Sequence, residues 1–204
     1  GSSIKNFKLD HKIIGKKIDN VRHEFNKKLI FNINRKSKLK IIHITNFNQR
    51  YYGRLQYNTG IRINNGLIRL GHNVISLSDR DLINISKSFK DPTGAKYLNN
   101  LISETINNFR PDLLILGHAD RVDKQMLLDS KEKFRNLTVS QWFLDPLTKK
   151  GPDYIKNKSR ILDKIDAMDA TFATTNPGSL DFKIENSHYI PNPCDKALDN
   201  LKNF

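Results

Sequence analysis

The run Leu113-Leu114-Ile115-Leu116 constrains this chain more than any other feature. Four consecutive apolar residues, set between Pro111-Asp112 and Gly117-His118-Ala119-Asp120, leave no polar side to turn toward water. A strand of that composition asks for a sheet covered on both faces, the situation of parallel strands under crossover helices. The rest of the chain repeats the pattern. Residues 39–44, 74–77, 137–143, 170–173 and 187–190 read as further strands. Between them lie helical stripes. Ile63, Leu67 and Leu70 form one, capped by Thr59 and stopped by Gly71, and Leu98, Ile102, Ile106 and Phe109 form another ahead of Pro111. Residues 123–134 and 154–164 supply two more. Residues 79–94 read as polar and turn-rich, broken at Asp91-Pro92-Thr93-Gly94. The alternation predicts an α/β fold: a Rossmann-like doubly wound parallel sheet with helices on both faces.

The first 36 residues read differently. After Gly1-Ser2-Ser3, which reads as a tag remnant, Phe7, Ile14, Ile18, Val21 and Phe25 make one apolar stripe among many lysines. This predicts a basic amphipathic helix as an arm over residues 1–36, ahead of a domain at 37–204. The arm packs on the body, lies through residues 4–30 on an anionic membrane surface, or forms a coiled coil. Charge makes an anionic partner the general expectation, since 35 Lys+Arg against 21 Asp+Glu leave the 204 residues at +14. Nucleic acid is the disfavoured choice, because the lysines are dispersed and no helix-turn-helix, ribonucleoprotein or finger motif is present. No apolar run approaches the ~18 residues of a membrane span. The single cysteine, Cys194, excludes an internal disulfide framework and reads as structural, in an apolar slot. A reducing, cytoplasmic setting follows as the default.

In an open parallel sheet, ligands bind at the carboxyl ends of strands. The first strand delivers Asn46 and the loop Arg50-Tyr51-Tyr52-Gly53-Arg54. The strand at 113–116 delivers His118 and Asp120, the next one Gln141, Trp142 and Asp145, and the one after it Thr174, Thr175 and Asn176. His118, Asp120 and Asp145 are candidate catalytic residues, a general base with orienting carboxylates. The plainer alternatives are a backbone-bonded histidine, a helix cap at Asp120 and a turn at Asp145-Pro146. Asn46, Arg50, Tyr52, Gly53, Arg54, Trp142, Thr175 and Asn176 are candidate substrate-binding residues, since arginine forks suit phosphate oxygens and aromatic faces suit sugar rings. His43, inside an apolar strand, reads as a core histidine with its hydrogen bonds satisfied. No paired-ligand spacing calls for a metal, and neither Gly-x-Gly-x-x-Gly nor Gly-x4-Gly-Lys-Ser/Thr occurs. A nicotinamide enzyme and a P-loop NTPase are therefore disfavoured. The serines and the cysteine also lack the context of a nucleophile elbow.

Several separated passages resemble one family. Leu67-Ile68-Arg69-Leu70-Gly71-His72-Asn73-Val74 is similar to the "Leu-x-x-x-Gly-His-x-Val" passage in the N-terminal half of GT-B fold glycosyltransferases. Arg110-Pro111-Asp112-Leu113 resembles the "Pro-Asp-hydrophobic" lead-in to a later strand of that half. Tyr189-Ile190-Pro191-Asn192-Pro193-Cys194-Asp195 resembles the passage that hands over to the second domain. Gly117-His118-Ala119-Asp120 and Gln141-Trp142-Phe143-Leu144-Asp145-Pro146 look like the spore-maturation-type subgroup, and the match spans roughly residues 39–195. The resemblance implies transfer of a sugar from a nucleotide-sugar donor to a glycan or lipid-linked acceptor, with no cofactor. It implies that acceptor binds this half and that the donor is held mainly by a second domain missing from this sequence. The family's Glu-x7-Glu signature does not occur, since Glu24, Glu104, Glu132 and Glu185 have no pair eight apart. The expectation is a partial glycosyltransferase, inactive alone and peripheral at the inner membrane face. A non-catalytic small-molecule-binding module and, less so, a nucleic-acid-binding protein are the alternatives.

Overall fold

A computed structural model describes residues 37–199. The predicted arm lies outside the described residues. Six parallel strands form one sheet in the order β2-β1-β3-β4-β5-β6. They are β1 (Lys40–Thr45), β2 (Asn73–Ser78), β3 (Leu113–Gly117), β4 (Thr138–Phe143), β5 (Ala170–Ala173) and β6 (Ser187–Tyr189). The helices are α1 (Thr59–Arg69), α2 (Asp79–Ser86), α3 (Ala95–Phe109), α4 (Lys124–Lys133), α5 (Tyr154–Leu162) and the short α6 (Lys196–Asp199). This is the Rossmann-like α/β architecture expected. The strand order reverses at the β1/β3 pair, where Thr45 stands opposite Gly117.

Alternation along the strands divides the core. Ile42, Ile44, Leu114, Leu116 and Val139 point to one face and pack against Leu98, Ile102 and Ile106 of α3 and Leu127 of α4. Farther along, Phe143 and Ala173 meet Ile161 of α5, with Leu147 and Ile184. The opposite face carries His43 and Thr45 beneath α1, where Asn64 reaches His43 and Gly60 lies against Thr45. His43 is fully buried and its bonds are satisfied: Nε2 accepts from Trp142 Nε1 at 3.2 Å, so the ring hydrogen sits on Nδ1 and reaches Asn64 Oδ1, also at 3.2 Å. The segment after β6 returns to α1. Asp195 pairs with Arg69 at 2.7 Å and accepts from Asn65, and Asp199 pairs with Arg62 at 2.6 Å. The Arg69 bond, with Asn65 and the Ala197 amide behind it, pulls the Asp195 carboxyl down to about 2.

Three local expectations need correction. Asn58, not Thr59, caps α1, its side chain accepting from the Ile61 amide. The stretch read as turn-rich begins with helix α2, whose Leu82 and Ile83 pack against the main core. Only the Ser88/Asp91 bridge and the residues from there to Gly94 behave as a turn. Cys194 is exposed rather than slotted among apolar side chains, because the chain just past Pro191 and Pro193 runs along the surface. Among the described residues, no helix is long and apolar enough to cross a membrane.

Candidate functional site

His118 leaves β3 with a left-handed backbone, φ 52°. A non-glycine residue held there stores strain of about 1 kcal/mol or more, and such residues concentrate where a side chain has to be aimed. The neighbour Gly117 explains the geometry. A Cβ on it would lie 2.0 Å from Trp142 Cζ2, so the indole packs directly on the backbone at this point. Thr45 Oγ1 donates to the Gly117 carbonyl and binds the end of β1 to the same spot. The His118 ring then stacks on Phe143, centroids 4.5 Å apart, with Trp142 at its edge.

Arg160, from the last turn of α5, gathers the acids. Its Nε and Nη2 form a fork on Asp120 at 2.9 and 3.0 Å, and its Nη1 holds Asp145 Oδ2 at 3.0 Å. His118 Nδ1 lies 3.0 Å from Arg160 Nη2 and 3.5 Å from Asp145 Oδ2, while Nε2 accepts from the Leu144 amide at 3.3 Å. Burial lowers the His118 pKa, and the Arg160 charge adds to that while Asp145 opposes it. The ring is therefore neutral at pH 7, and both its nitrogens face protein groups. The side chains of Asp120 and Asp145 are each more than 40% exposed, at 43% and 42%, so these carboxylates are the faces of the cluster that a ligand can reach. Arg80 approaches Asp120 from the other side at 3.7 Å.

A second group sits at the end of β1. Asp81 of α2 accepts from the amides of Gln49 and Arg50, from Ser78 Oγ, and from Arg50 Nη1 at 3.0 Å. Burial pushes the Asp81 carboxyl up, but these four donors outweigh it and hold it below the usual carboxylate range. Asn46 accepts from the Asn48 amide and lies 3.3 Å from Arg50 Nη1. The loop is shaped by left-handed residues at Asn48, Tyr52 and Gly53, and its Tyr52 side chain is fully exposed. Arg50 and Arg54 both stand over the Tyr51 ring.

The expected residues thus separate. His118, Asp120 and Asp145 come together around Arg160. Asn46 and Arg50 come together around Asp81, with Tyr52, Gly53 and Arg54 on the exposed loop beyond. Trp142 is buried and its N–H is used by His43, so it supports the site from within the sheet instead of lining it. Thr175 Oγ1 accepts from the Leu147 amide and fixes the loop after β4, and Asn176 caps the turn at Pro177–Ser179. The helix-cap alternative for Asp120 falls away, because Asp123 caps α4. Arg160 and Asp81 are the residues that sequence reasoning missed. Arg160 looks like one more cation on a basic helix, and Asp81 lies in the stretch read as turns.

A cleft between the ends of β1, β2 and β3 is lined by Asp120 of the first group and Arg50 of the second, with Asp79 and Arg80 among others. Among the described residues, no three His, Cys, Asp or Glu side chains are grouped to hold a metal ion. Fold and site together define a Rossmann-like α/β protein with a charged centre at its strand-order switch. No family model matches this chain, and no curated protein or solved structure matches it either.

Proposed function

We propose that this chain is the acceptor-side half of a GT-B type glycosyltransferase, acting with a nucleotide-sugar donor held mainly by a second domain. The observation that carries the reading is the pair of exposed carboxylates, Asp120 and Asp145, held by one arginine at the ends of adjacent strands. In the proposed reaction an acceptor hydroxyl attacks the anomeric carbon of the donor. The bond from that carbon to the phosphate oxygen breaks, and the nucleotide leaves with the electron pair. Asp120 orients the hydroxyl and takes its proton. His118 acts through position, its Nε2 tethering the loop after β4 that carries Asp145. Arg50 and Arg54 meet phosphate of donor or acceptor. Residues 4–30 bring the enzyme to an anionic membrane at the cytoplasmic face, where a lipid-linked acceptor in polysaccharide or glycoconjugate synthesis would be found.

The second reading is a non-catalytic module that binds a small molecule. It is favoured by the internal pairing of both carboxylates with Arg160, which leaves the cluster complete without substrate. The test is a screen of nucleotide-sugar donors against glycan and lipid-linked acceptors, using the protein encoded by the whole natural reading frame. Transfer that falls at least about tenfold in Asp120→Asn, with the fold intact, is expected for a proton-accepting carboxylate. If no donor is turned over, or if the variant turns over as fast as the parent, the binding-module reading replaces this one.

A further inference from the structure

The link between α2 and α3 displays apolar side chains to water and is built to keep them there. Phe89 is fully exposed, Ile85 in the last turn of α2 is 76% exposed, and Tyr97 in the first turn of α3 is about half exposed. Phe89 and Lys90 form the tip of a tight turn closed by Ser88 and Asp91, whose amides each donate to the other's carbonyl at 3.1 and 3.2 Å. The Asp91 carboxylate accepts from Thr93 Oγ1 at 3.0 Å and from the Tyr97 amide at 3.1 Å, which ties the turn to the start of α3. Gly94 ties it to α2: its backbone is left-handed, and a Cβ on it would lie 2.4 Å from the Ile83 carbonyl oxygen. A tip held on both sides keeps its ring out of the core. A lone exposed apolar residue is ordinary, but several in one short link, with one fully exposed at a fixed tip, call for a partner.

Charge says which partner. Lys87, Lys90 and Lys96 are exposed in the same link and make no ion pair among the described residues. Asp91 is the only acid between residues 84 and 97, and its carboxylate is engaged in holding the turn. Protein interfaces are depleted in lysine, and a protruding tip offers no groove to a peptide. A bilayer interface takes both features at once. The aromatic ring sits at headgroup depth, while the lysine stems lie along it and the ammoniums reach lipid phosphates.

We infer that the turn between α2 and α3 is a membrane contact: Phe89, flanked by Ile85 and Tyr97, enters the interface of an anionic bilayer while Lys87, Lys90 and Lys96 meet the lipid phosphates. Lys87, Pro92 and Thr93 also line the cleft at the ends of β1, β2 and β3, so the contact brings the rim of that cleft to the lipid surface. One contact of this size gives only marginal attachment, and stable anchoring takes two signals. The turn is the second signal beside the basic arm, and it sets the orientation of the bound protein. The inference rests on the glycosyl-transfer reading only for the lipid-linked acceptor that would meet the cleft, since vesicle binding needs no donor.

The test titrates the 204-residue chain carrying Phe89→Trp with vesicles of phosphatidylcholine, with and without phosphatidylglycerol. Trp142 is the only native tryptophan and is buried, so its emission is a constant background. On vesicles containing phosphatidylglycerol the introduced indole should shift its emission to the blue and be quenched by brominated acyl chains. Phe89→Ser should weaken vesicle binding at least about fivefold. The triple variant Lys87→Gln/Lys90→Gln/Lys96→Gln should weaken it at least about tenfold. Neither should lower the unfolding midpoint. No binding, equal binding to vesicles without phosphatidylglycerol, an introduced indole neither shifted nor quenched on the bound chain, or affinity indifferent to Phe89→Ser overturns the contact. A lowered midpoint in Phe89→Ser overturns it too, since the ring would then be packed against another part of the chain. A failed transfer assay beside intact quenching would sink only the enzymatic reading, and transfer without quenching would sink only the membrane contact.

Discussion

Acidification from neutrality to about pH 4 protonates two buried groups whose contributions to stability change in opposite directions, and the structure sets both magnitudes. His43, sealed under α1, has its pKa lowered by burial from 6.5 to about 4, against a smaller raising effect from Asn64. Its contribution to stability is complete above 6.5 and is lost as pH falls through about 4. Asp79 is raised by burial from 3.8 to about 6. Its contribution is complete below 3.8 and is lost as pH rises through about 6. Each span corresponds to about 3 kcal/mol at about 1.36 kcal/mol per pKa unit. In the parent the two nearly cancel between about pH 6.5 and 4. Separate substitutions uncover them. Relative to the double variant His43→Gln/Asp79→Asn, which removes both groups, Asp79→Asn should lose about 3 kcal/mol on acidification through that window and His43→Gln should gain about as much. Comparison with the double variant cancels every other carboxylate. The assay is urea unfolding followed by far-UV circular dichroism at a series of pH values, with the slope m checked for constancy. Two single variants that keep a constant offset from the double variant across the window would refute the reasoning.

Arg160→Met should move the His118 titration upward, because the opposing cation is gone while Asp145 and Asp120 remain; two-dimensional NMR of the imidazole reads it, and an unmoved pKa would show that Arg160 does not act on the ring. The same variant should change stability by less than about 1 kcal/mol, since the ion pairs it breaks are partly exposed. Gly117→Ala should cost about 3 kcal/mol, because the new methyl would drive the Trp142 indole away from His43; an unchanged unfolding midpoint would contradict the close approach. Removing residues 1–34 should abolish flotation with anionic liposomes, and equal flotation of the two forms would dismiss the membrane role of the arm.

The strands were legible because they had little alternative. Ile41 to Ile44 and Leu113 to Leu116 are apolar or fully buried on both faces, and only a covered parallel sheet accepts them. Helix α2 was not legible, since only Leu82 and Ile83 of its eight residues reach the core, and the acidic first turn at Asp79 and Asp81 was its one positive sign. Strand-end position alone pointed to His118, Asp120 and Asp145. It did not reveal Arg160, because spacing along α5 tells nothing about which of its cations crosses to β3 and β4. Nor did it show that Trp142 faces inward; that comes from pairing with Gly117, a fact of register and not of composition. Asp79 escaped notice for the same reason as its helix.

The return of the chain to α1 has a kinetic consequence. Neighbouring strands β3 to β6 join through short crossovers, whereas Asn65 meets Asp195 across 130 residues and Arg62 meets Asp199 across 137. Loop-closure entropy grows only slowly with length, so these bonds are not expensive to hold once the sheet exists. Their partners, however, are brought near each other only by the finished sheet. The clasp therefore belongs on the native side of the folding barrier. Disrupting it, for example with Asp195→Ala, should speed unfolding while leaving the folding rate nearly unchanged, which makes the segment after β6 a lock on a structure already formed.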